Sequence, residues 1–278
     1  MSQLLIEGGY PLCGVVDIQG AKNSVLPILS AALLSDGECV VRNFPDITDT
    51  DAAIDILRAL GAKVTRRDDC ITVNAKNADG YEIPDCLMRK MRSSIMFLGA
   101  ILSRSKKAVV SLPGGCELGR RPIDIHLSAL KKMGVEINEN HGFLECSHNG
   151  LRGAEINLSF PSVGATENIM LAAVKAEGDT EIHNAAREPE IEDLAVFLRK
   201  MGAKIKGAGS DKITIRGVKK LSGCEHGVIP DRIVAATYLC AVAATRGNAL
   251  IKNVCPQHLC TVTSILGEAG CSLNIYED

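Results

Sequence analysis

The sequence predicts an α/β chain in which one unit, β-α-β-α-β-β, is used four times. Three observations predict it. A helix-like stretch, a glycine and a short strand recur as Leu60-Gly61-Ala62-Lys63-Val64, Met133-Gly134-Val135-Glu136-Ile137, Met201-Gly202-Ala203-Lys204-Ile205 and Ala269-Gly270-Cys271-Ser272-Leu273, with the glycines 73, 68 and 68 residues apart. Short runs rich in β-branched residues keep the same phase: Cys39–Asn43, Ala108–Leu112, Thr180–Asn184 and Ala249–Asn253 end 69, 72 and 69 residues apart. Within one unit, Leu87, Met91, Ile95, Leu98 and Leu102 step by 4, 4, 3 and 4, the spacing of a single helical face. A period of about 70 residues is longer than that of solenoid repeats, so each unit is a small α+β layer.

The elements follow in order. The first helix of each unit is expected near Ser24–Leu34, over the 87–102 stripe, near Thr166–Ala176 and near Asp231–Thr245. The second helix covers Thr50–Leu60, Ile123–Met133, Glu190–Met201 and Gln257–Ala269. Gly61, Gly134, Gly202 and Gly270 then fall where a helix end favours a left-handed residue. Strand pairs come next: Lys63–Thr65 with Cys70–Asn74, Glu136–Asn138 with Gly142–Cys146, and Lys204–Lys206 with Lys212–Arg216. The units lie near 10–80, 81–153, 154–220 and 221–278. The fourth stops after Leu273-Asn274-Ile275, where a returning strand is due, so the sequence reads as part of something longer.

Composition narrows the function. Hydrophobic residues make up 46% and charged residues 23%, an ordinary globular balance. Aromatics are 3% with no Trp, which argues against a base-stacking surface for single-stranded nucleic acid. Lys+Arg 31 against Asp+Glu 33 gives a net charge of -2, so no overall positive field holds a nucleic-acid backbone. The 11 cysteines include no C-x-x-C pair. Residues 1–10 lack a basic segment followed by an apolar one, and no apolar run reaches the length of a membrane span. These features predict a cytoplasmic protein with reduced thiols and no membrane partner.

Several segments carry chemistry. Lys22-Asn23 opens the first helix, a place for an anion beside helix-end amides and equally for a solvated lysine. Pro113-Gly114-Gly115-Cys116-Glu117-Leu118-Gly119-Arg120-Arg121-Pro122-Ile123-Asp124 is more specific. Its glycines allow close approach, Pro122 suits a helix start, and two guanidinium groups near Cys116 favour its thiolate. Arg89, Lys90 and Arg92 share the polar side of the second unit's helix, as a solvated face or an anion site. Phe160-Pro161-Ser162-Val163-Gly164-Ala165-Thr166 opens the third unit's helix with amides and hydroxyls that could hold a phosphate. Cys255, His258 and Cys260 match no zinc spacing and read as packing residues, and the chain has no P-loop. No metal and no cofactor are expected.

Gly20-Ala21-Lys22-Asn23, Gly114-Gly115-Cys116 with Gly119–Asp124, Ser162–Asn168, Ala185–Glu190 and Pro230-Asp231-Arg232 together resemble the UDP-N-acetylglucosamine 1-carboxyvinyltransferases, a family of enolpyruvyl transferases. The likeness runs from the N-terminus to residue 278; the sister enzyme, 5-enolpyruvylshikimate-3-phosphate synthase, shares the repeat but lacks the cysteine loop. The resemblance implies six units in two three-fold, inside-out α/β barrel domains, the second incomplete here. Residues 22–229 would form the first domain, and 1–21 plus 230–278 would belong to the second. It implies transfer of the enolpyruvyl group of phosphoenolpyruvate to the 3-hydroxyl of UDP-N-acetylglucosamine with release of phosphate, the first committed step of peptidoglycan synthesis.

Residue roles carry over by motif. Cys116 would donate the proton to C3 from a closing lid, and Lys22 and Arg121 would hold the phosphoenolpyruvate phosphate with Asn23 near the reacting centre. Arg92 would meet the sugar nucleotide or the phosphate. Arg121, Pro122, Ile123, Asp124 and Ile125 would line the uridine pocket, and Ser162, Val163 and Gly164 would bind the diphosphate. Asp231 and Arg232 would bridge the halves. Phe160 stands where some members have a lysine, a departure that puts one diphosphate cation in question. The family's general-base aspartate would lie beyond residue 278. Two readings stay beside the transferase: a non-catalytic sugar-nucleotide-binding relative, and the shikimate-pathway sister enzyme.

Overall fold

The computed structural model describes residues 5–113 and 123–276, and the chain divides into two compact units. The larger is Lys22–Val228; the other joins the residues up to Ala21 with those from Ile229 onward.

In chain order the elements are β1 (Cys13–Asp17), α1 (Lys22–Ala32), β2 (Glu38–Arg42), α2 (Thr48–Ala59), β3 (Lys63–Arg66) and β4 (Cys70–Asn74). There follow α3 (Asp85–Met88), a 3₁₀ turn (Arg92–Met96), α4 (Phe97–Arg104), β5 (Lys107–Ser111), α5 (Asp124–Lys132), β6 (Glu136–Asn140) and β7 (Phe143–Ser147). The third repeat supplies β8 (Glu155–Asn157), α6 (Val163–Ala173), β9 (Asp179–His183), α7 (Pro189–Lys200), β10 (Lys204–Lys206) and β11 (Lys212–Arg216). The last segments are β12 (Glu225–Gly227), α8 (Arg232–Ala244), β13 (Asn248–Lys252), a second 3₁₀ turn (Pro256–Leu259) and α9 (Cys260–Glu268).

Each repeat of the larger unit builds its own sheet. The orders are β12-β2-β4-β3, β5-β7-β6 and β10-β11-β9-β8. In the first and third, one strand adds in parallel, β12 on β2 and β8 on β9, and the other pairings are antiparallel. In the second, a single parallel bridge, Glu82 with Val109, takes the place of that strand. The helices α1, α4, α6 and α7 are buried among themselves, with Leu26, Leu29, Phe97, Ile101, Ile169, Leu171, Leu194 and Phe197 at 1% exposure or less.

The repeat markers act through the backbone. Gly61, Gly134, Gly202 and Gly270 have φ of +91°, +92°, +106° and +91°, the left-handed helix ends expected of them. Asn43, Asn184 and Asn253, which end three of the four β-branched runs, are also left-handed, with φ of 53°, 55° and 52°. Each donates its side-chain amide to the carbonyl just past the parallel strand. Asn43 bonds Val228 O at 2.7 Å, Asn184 bonds Leu158 O at 2.9 Å, and Asn253 bonds Ile18 O. The second run ends in Leu112 instead, and there the parallel strand shrinks to one bridge.

Two expectations need correction. The strand Cys13–Asp17 does not complete the first repeat; it pairs in parallel with β13 in the smaller unit, from Cys13↔Asn248 to Asp17↔Lys252. The first sheet takes β12 instead, so the sheets do not follow the unit limits 10–80 and 221–278. The local reason is that β12 brings His226 and Val228, both buried, into the larger core, where Asn43 holds the end of the strand. The second correction concerns the 87–102 stripe, which is not one helix. Met91 is extended, with φ -143° and ψ 148°, and separates α3 from the 3₁₀ turn. The Ser94 hydroxyl lies 2.9 Å from the carbonyls of both Met88 and Met91, giving a side-chain partner where the ladder stops. Met91, Ile95, Leu98 and Leu102 are nevertheless buried. Apolar spacing reports the face and not the continuity of the backbone.

The smaller unit has a slim core of Ile18, Ala235 and Leu259, with Val16, Val234, Leu239 and Ile251 packed around it. Leu273–Ile275 joins no strand pairing among the described residues. Among those residues no helix is long and apolar enough to cross a membrane.

Candidate functional site

Lys22 and Asn23 are the first two residues of α1, and both are exposed although the helix behind them is buried from Ser24 to Ala32. Lys22 Nζ lies 2.7 Å from Asp49 Oδ2, in the first turn of α2. Directly behind, the Ser24 hydroxyl donates to Asp193 Oδ2 on α7, and His226 Nε2 meets the other oxygen, Asp193 Oδ1, at 2.7 Å. Ser24, Asp193 and His226 are all buried, and the imidazole sits edge-on to Phe197 with centroids 5.6 Å apart. One carboxylate thus joins α1, α7 and β12, and sets the lateral position of the turn that presents Lys22 and Asn23.

A second cluster forms where α5 and α6 begin. Ser162 caps α6, its hydroxyl accepting from Ala165 N at 3.3 Å, so the amides of Val163 and Gly164 open the helix. A Cβ on Gly164 would come within 3.3 Å of His126 Cε1, so glycine lets α6 approach the α5 ring closely. That approach packs the start of α6 against α5, whose first turn holds Asp124 and Ile125. A cavity of ≈ 200 Å³ opens here, lined by Asp124, Ile125, Ser128 and Lys132 on α5 and by Asn157 and Ser159 after β8.

Asn168 supports this cluster from within. Its Oδ1 accepts from Gly99 N at 2.6 Å, and its Nδ2 lies 3.0 Å from both Ile95 O and His126 Nδ1. Because the amide donates to Nδ1, the His126 proton sits on Nε2. Burial, then the positive charge of Arg92, pull His126 down to about 4, so the ring is neutral at pH 7. Arg92 is the first residue of the 3₁₀ turn. The turn also packs against α1 and α6.

A buried acid sits deeper. Glu167, 2% exposed on α6, is pushed well above the usual carboxylate range by burial and then by Glu190 and Glu188, and its Oε1 has no hydrogen-bond partner among the described residues.

Of the residues singled out in the sequence, Asp124 and Ile125 line the ≈ 200 Å³ cavity, Gly164 faces His126 on the same helix α5, and Lys22 and Asn23 open α1. Arg232 is the first residue of α8 in the smaller unit, where Asp231 caps that helix by accepting from Ile233 N and Val234 N at 2.9 and 3.0 Å. Cys116, Arg121 and Pro122 lie outside the described residues. Phe160 is 64% exposed beside the start of α6. No group of three or more His, Cys, Asp or Glu among the described residues is arranged to hold a metal. Asn168, His126, Asp193 and His226 were not singled out. Asn168 and His126 stand within or beside quoted motifs, whereas Asp193 and His226 gave no local signal.

The family profile described as EPSP synthase (3-phosphoshikimate 1-carboxyvinyltransferase) matches residues 6–278. A protein of Caldanaerobacter subterraneus subsp. tengcongensis named UDP-N-acetylglucosamine 1-carboxyvinyltransferase 2 is 53% identical over 278 residues, all of this chain and 67% of the relative. The UDP-N-acetylglucosamine 1-carboxyvinyltransferase of Endomicrobium trichonymphae is 50% identical over 271 residues, 97% of this chain and 65% of the relative. The chain therefore spans about two thirds of the curated relatives it matches. Among solved structures, the enolpyruvyl transferase NikO from Streptomyces tendae aligns with a TM-score of 0.76 at 26% identity, covering 84% of this chain and 56% of that one. EPSP synthase from Acinetobacter baumannii aligns with a TM-score of 0.74 at 24% identity over 95% of this chain and 60% of that one, a likeness of fold. With 53% and 50% identity over 100% and 97% of its length, the chain belongs to the UDP-N-acetylglucosamine 1-carboxyvinyltransferase family.

Proposed function

We propose that the protein carrying this chain transfers the enolpyruvyl group of phosphoenolpyruvate to the 3-hydroxyl of UDP-N-acetylglucosamine, releasing phosphate, in the cytoplasm. The observation that carries this reading is the 53% identity over all 278 residues with a relative of that name. In it the three sheets of the larger unit form one three-fold barrel domain, and residues 1–21 and 230–278 begin the second.

The chemistry assigns the parts. Phosphoenolpyruvate is a dense anion, and fixed cations stabilise it best in a site from which water is excluded. Lys22 and Arg121 hold its phosphate, with Asn23 beside the reacting carbon. The sugar 3-hydroxyl oxygen bonds to C2 as its proton passes to a general base, while Cys116 gives a proton to C3. The intermediate then loses a C3 proton and phosphate, which restores the double bond on the transferred group. Ser162, Val163 and Gly164 suit the diphosphate, since they open α6 and the amides of a helix start favour an anion. Ile123, Asp124 and Ile125, with Pro122, suit the uridine, next to the ≈ 200 Å³ cavity. Arg92 adds charge for the sugar nucleotide or phosphate.

Fosfomycin, an epoxide that alkylates the cysteine of this family, provides the test. Peptide mapping after treatment should find the adduct on Cys116. Labelling spread evenly over Cys13, Cys70 and Cys224 would contradict the assignment.

A further inference from the structure

We propose that Cys39 and Cys224 form an oxidisable cross-strand dithiol, a disulfide site that reacts with a peroxide-class oxidant and staples β12 to β2. The register puts them together. In the parallel pairing of β12 with β2, Glu225 stands opposite Val40, and Val40 N donates to Cys224 O at 2.9 Å. One step back along both strands places Cys224 opposite Cys39, with both side chains on the face that buries Val41 and His226. Neighbouring strands lie about 4.8 Å apart, within the Cα separation of about 4.4–6.8 Å that a disulfide spans.

The neighbouring Cys224 thiol draws Cys39 down to about 7 against the opposing effect of burial, and the Cys224 Sγ lies 4.0 Å from Phe197 O. The same neighbour, then burial, pushes Cys224 up. Cys146, a core thiol without such a neighbour, is pushed up to about 11 by burial alone. Cys224 is partly exposed and β12 is a three-residue strand at a sheet edge, so brief opening there admits a small oxidant.

The chemistry balances with hydrogen peroxide. The Cys39 thiolate attacks one peroxide oxygen; the S–O bond forms, the O–O bond breaks, and the departing hydroxide takes a proton to become water. The Cys224 sulfur then attacks the Cys39 sulfur. The S–S bond forms, the S–O bond breaks, and hydroxide leaves with the Cys224 proton as a second water. Two thiols are oxidised by two electrons and one peroxide is reduced. The staple joins the last strand of the larger unit to its first sheet.

The experiment uses the reduced 278-residue chain, treated with hydrogen peroxide, alkylated and digested without reductant. The expected result is one dominant cross-linked pair joining the Cys39 and Cys224 peptides. It should be reversed by dithiothreitol, absent from Cys39→Ser and Cys224→Ser, and at least tenfold more abundant than in chain oxidised in concentrated guanidinium chloride. Recovery of Cys39 and Cys224 as separately alkylated peptides while other cysteines are oxidised would overturn the proposal, as would equal yield from the unfolded chain. The wild-type mapping decides the matter even where a serine variant fails to fold.

Discussion

Replacing Asn168 by alanine removes three hydrogen bonds from a place that water cannot fill. Asn168 is fully buried, and α6 and α4 touch so closely that a Cβ on Gly99 would fall 2.2 Å from Asn168 O. The amide is the partner of Gly99 N, Ile95 O and His126 Nδ1. Gly99 lies in the first turn of α4, where backbone N–H groups lack partners within the helix, so Asn168 acts as a cap supplied from another repeat. Each orphaned group costs about 1–3 kcal/mol, and partial relaxation brings the sum to about 4 kcal/mol. For a unit of this size that lowers the melting temperature by about 8–16 °C. Thermal unfolding followed by far-ultraviolet circular dichroism at neutral pH measures it. Asn168→Asp keeps an acceptor for Gly99 N and loses both donors, so its melting point should fall between the two. A drop of under about 3 °C in Asn168→Ala would refute the bond network as a source of stability.

Other perturbations have equally defined outcomes. His126 is held near 4 in the folded chain against 6.5 when free, so its share of stability is complete above pH 6.5 and is lost as pH falls through 4. That share is on the order of 3 kcal/mol, and denaturant midpoints across pH 4–7 should flatten in His126→Gln. Glu167 acts with the opposite sign: its raised value makes stability decline as pH rises above 4.5, so Glu167→Gln should gain midpoint relative to the parent at pH 8. Asp193→Ala strands the Ser24 hydroxyl and His226 Nε2 in the core and should cost about 3 kcal/mol in denaturant titration. Asp193→Asn can accept from the imidazole and donate to the serine, and should recover most of that loss.

The repeat was legible because its punctuation is local. A glycine at a helix end and a β-branched strand each leave a mark within five residues, and the four glycines adopt the backbone their positions imply. The strand exchange was not legible, because the choice between residues 13–17 and 225–227 as the partner of β2 is made by burial and by the Asn43 bond to Val228 O. Asn43, Asn184 and Asn253 ended the β-branched runs in plain view, yet their clamping role depends on carbonyls distant in sequence. The interrupted 87–102 segment shows the same limit, since the Met91 break hides within an unbroken apolar spacing. In the site, Lys22, Asp124 and Ser162 stood in recognisable helix openings. The groups that hold those openings, Asp193 with His226 and Asn168 with His126, pair across 33 and 42 residues and carry no local pattern.

The central claim is the identity of the acceptor, and the most direct test is phosphate release from phosphoenolpyruvate by the protein carrying this chain, with UDP-N-acetylglucosamine or shikimate 3-phosphate offered separately. The account predicts release that depends on UDP-N-acetylglucosamine and falls to background with shikimate 3-phosphate. Release with shikimate 3-phosphate and none with UDP-N-acetylglucosamine would contradict it.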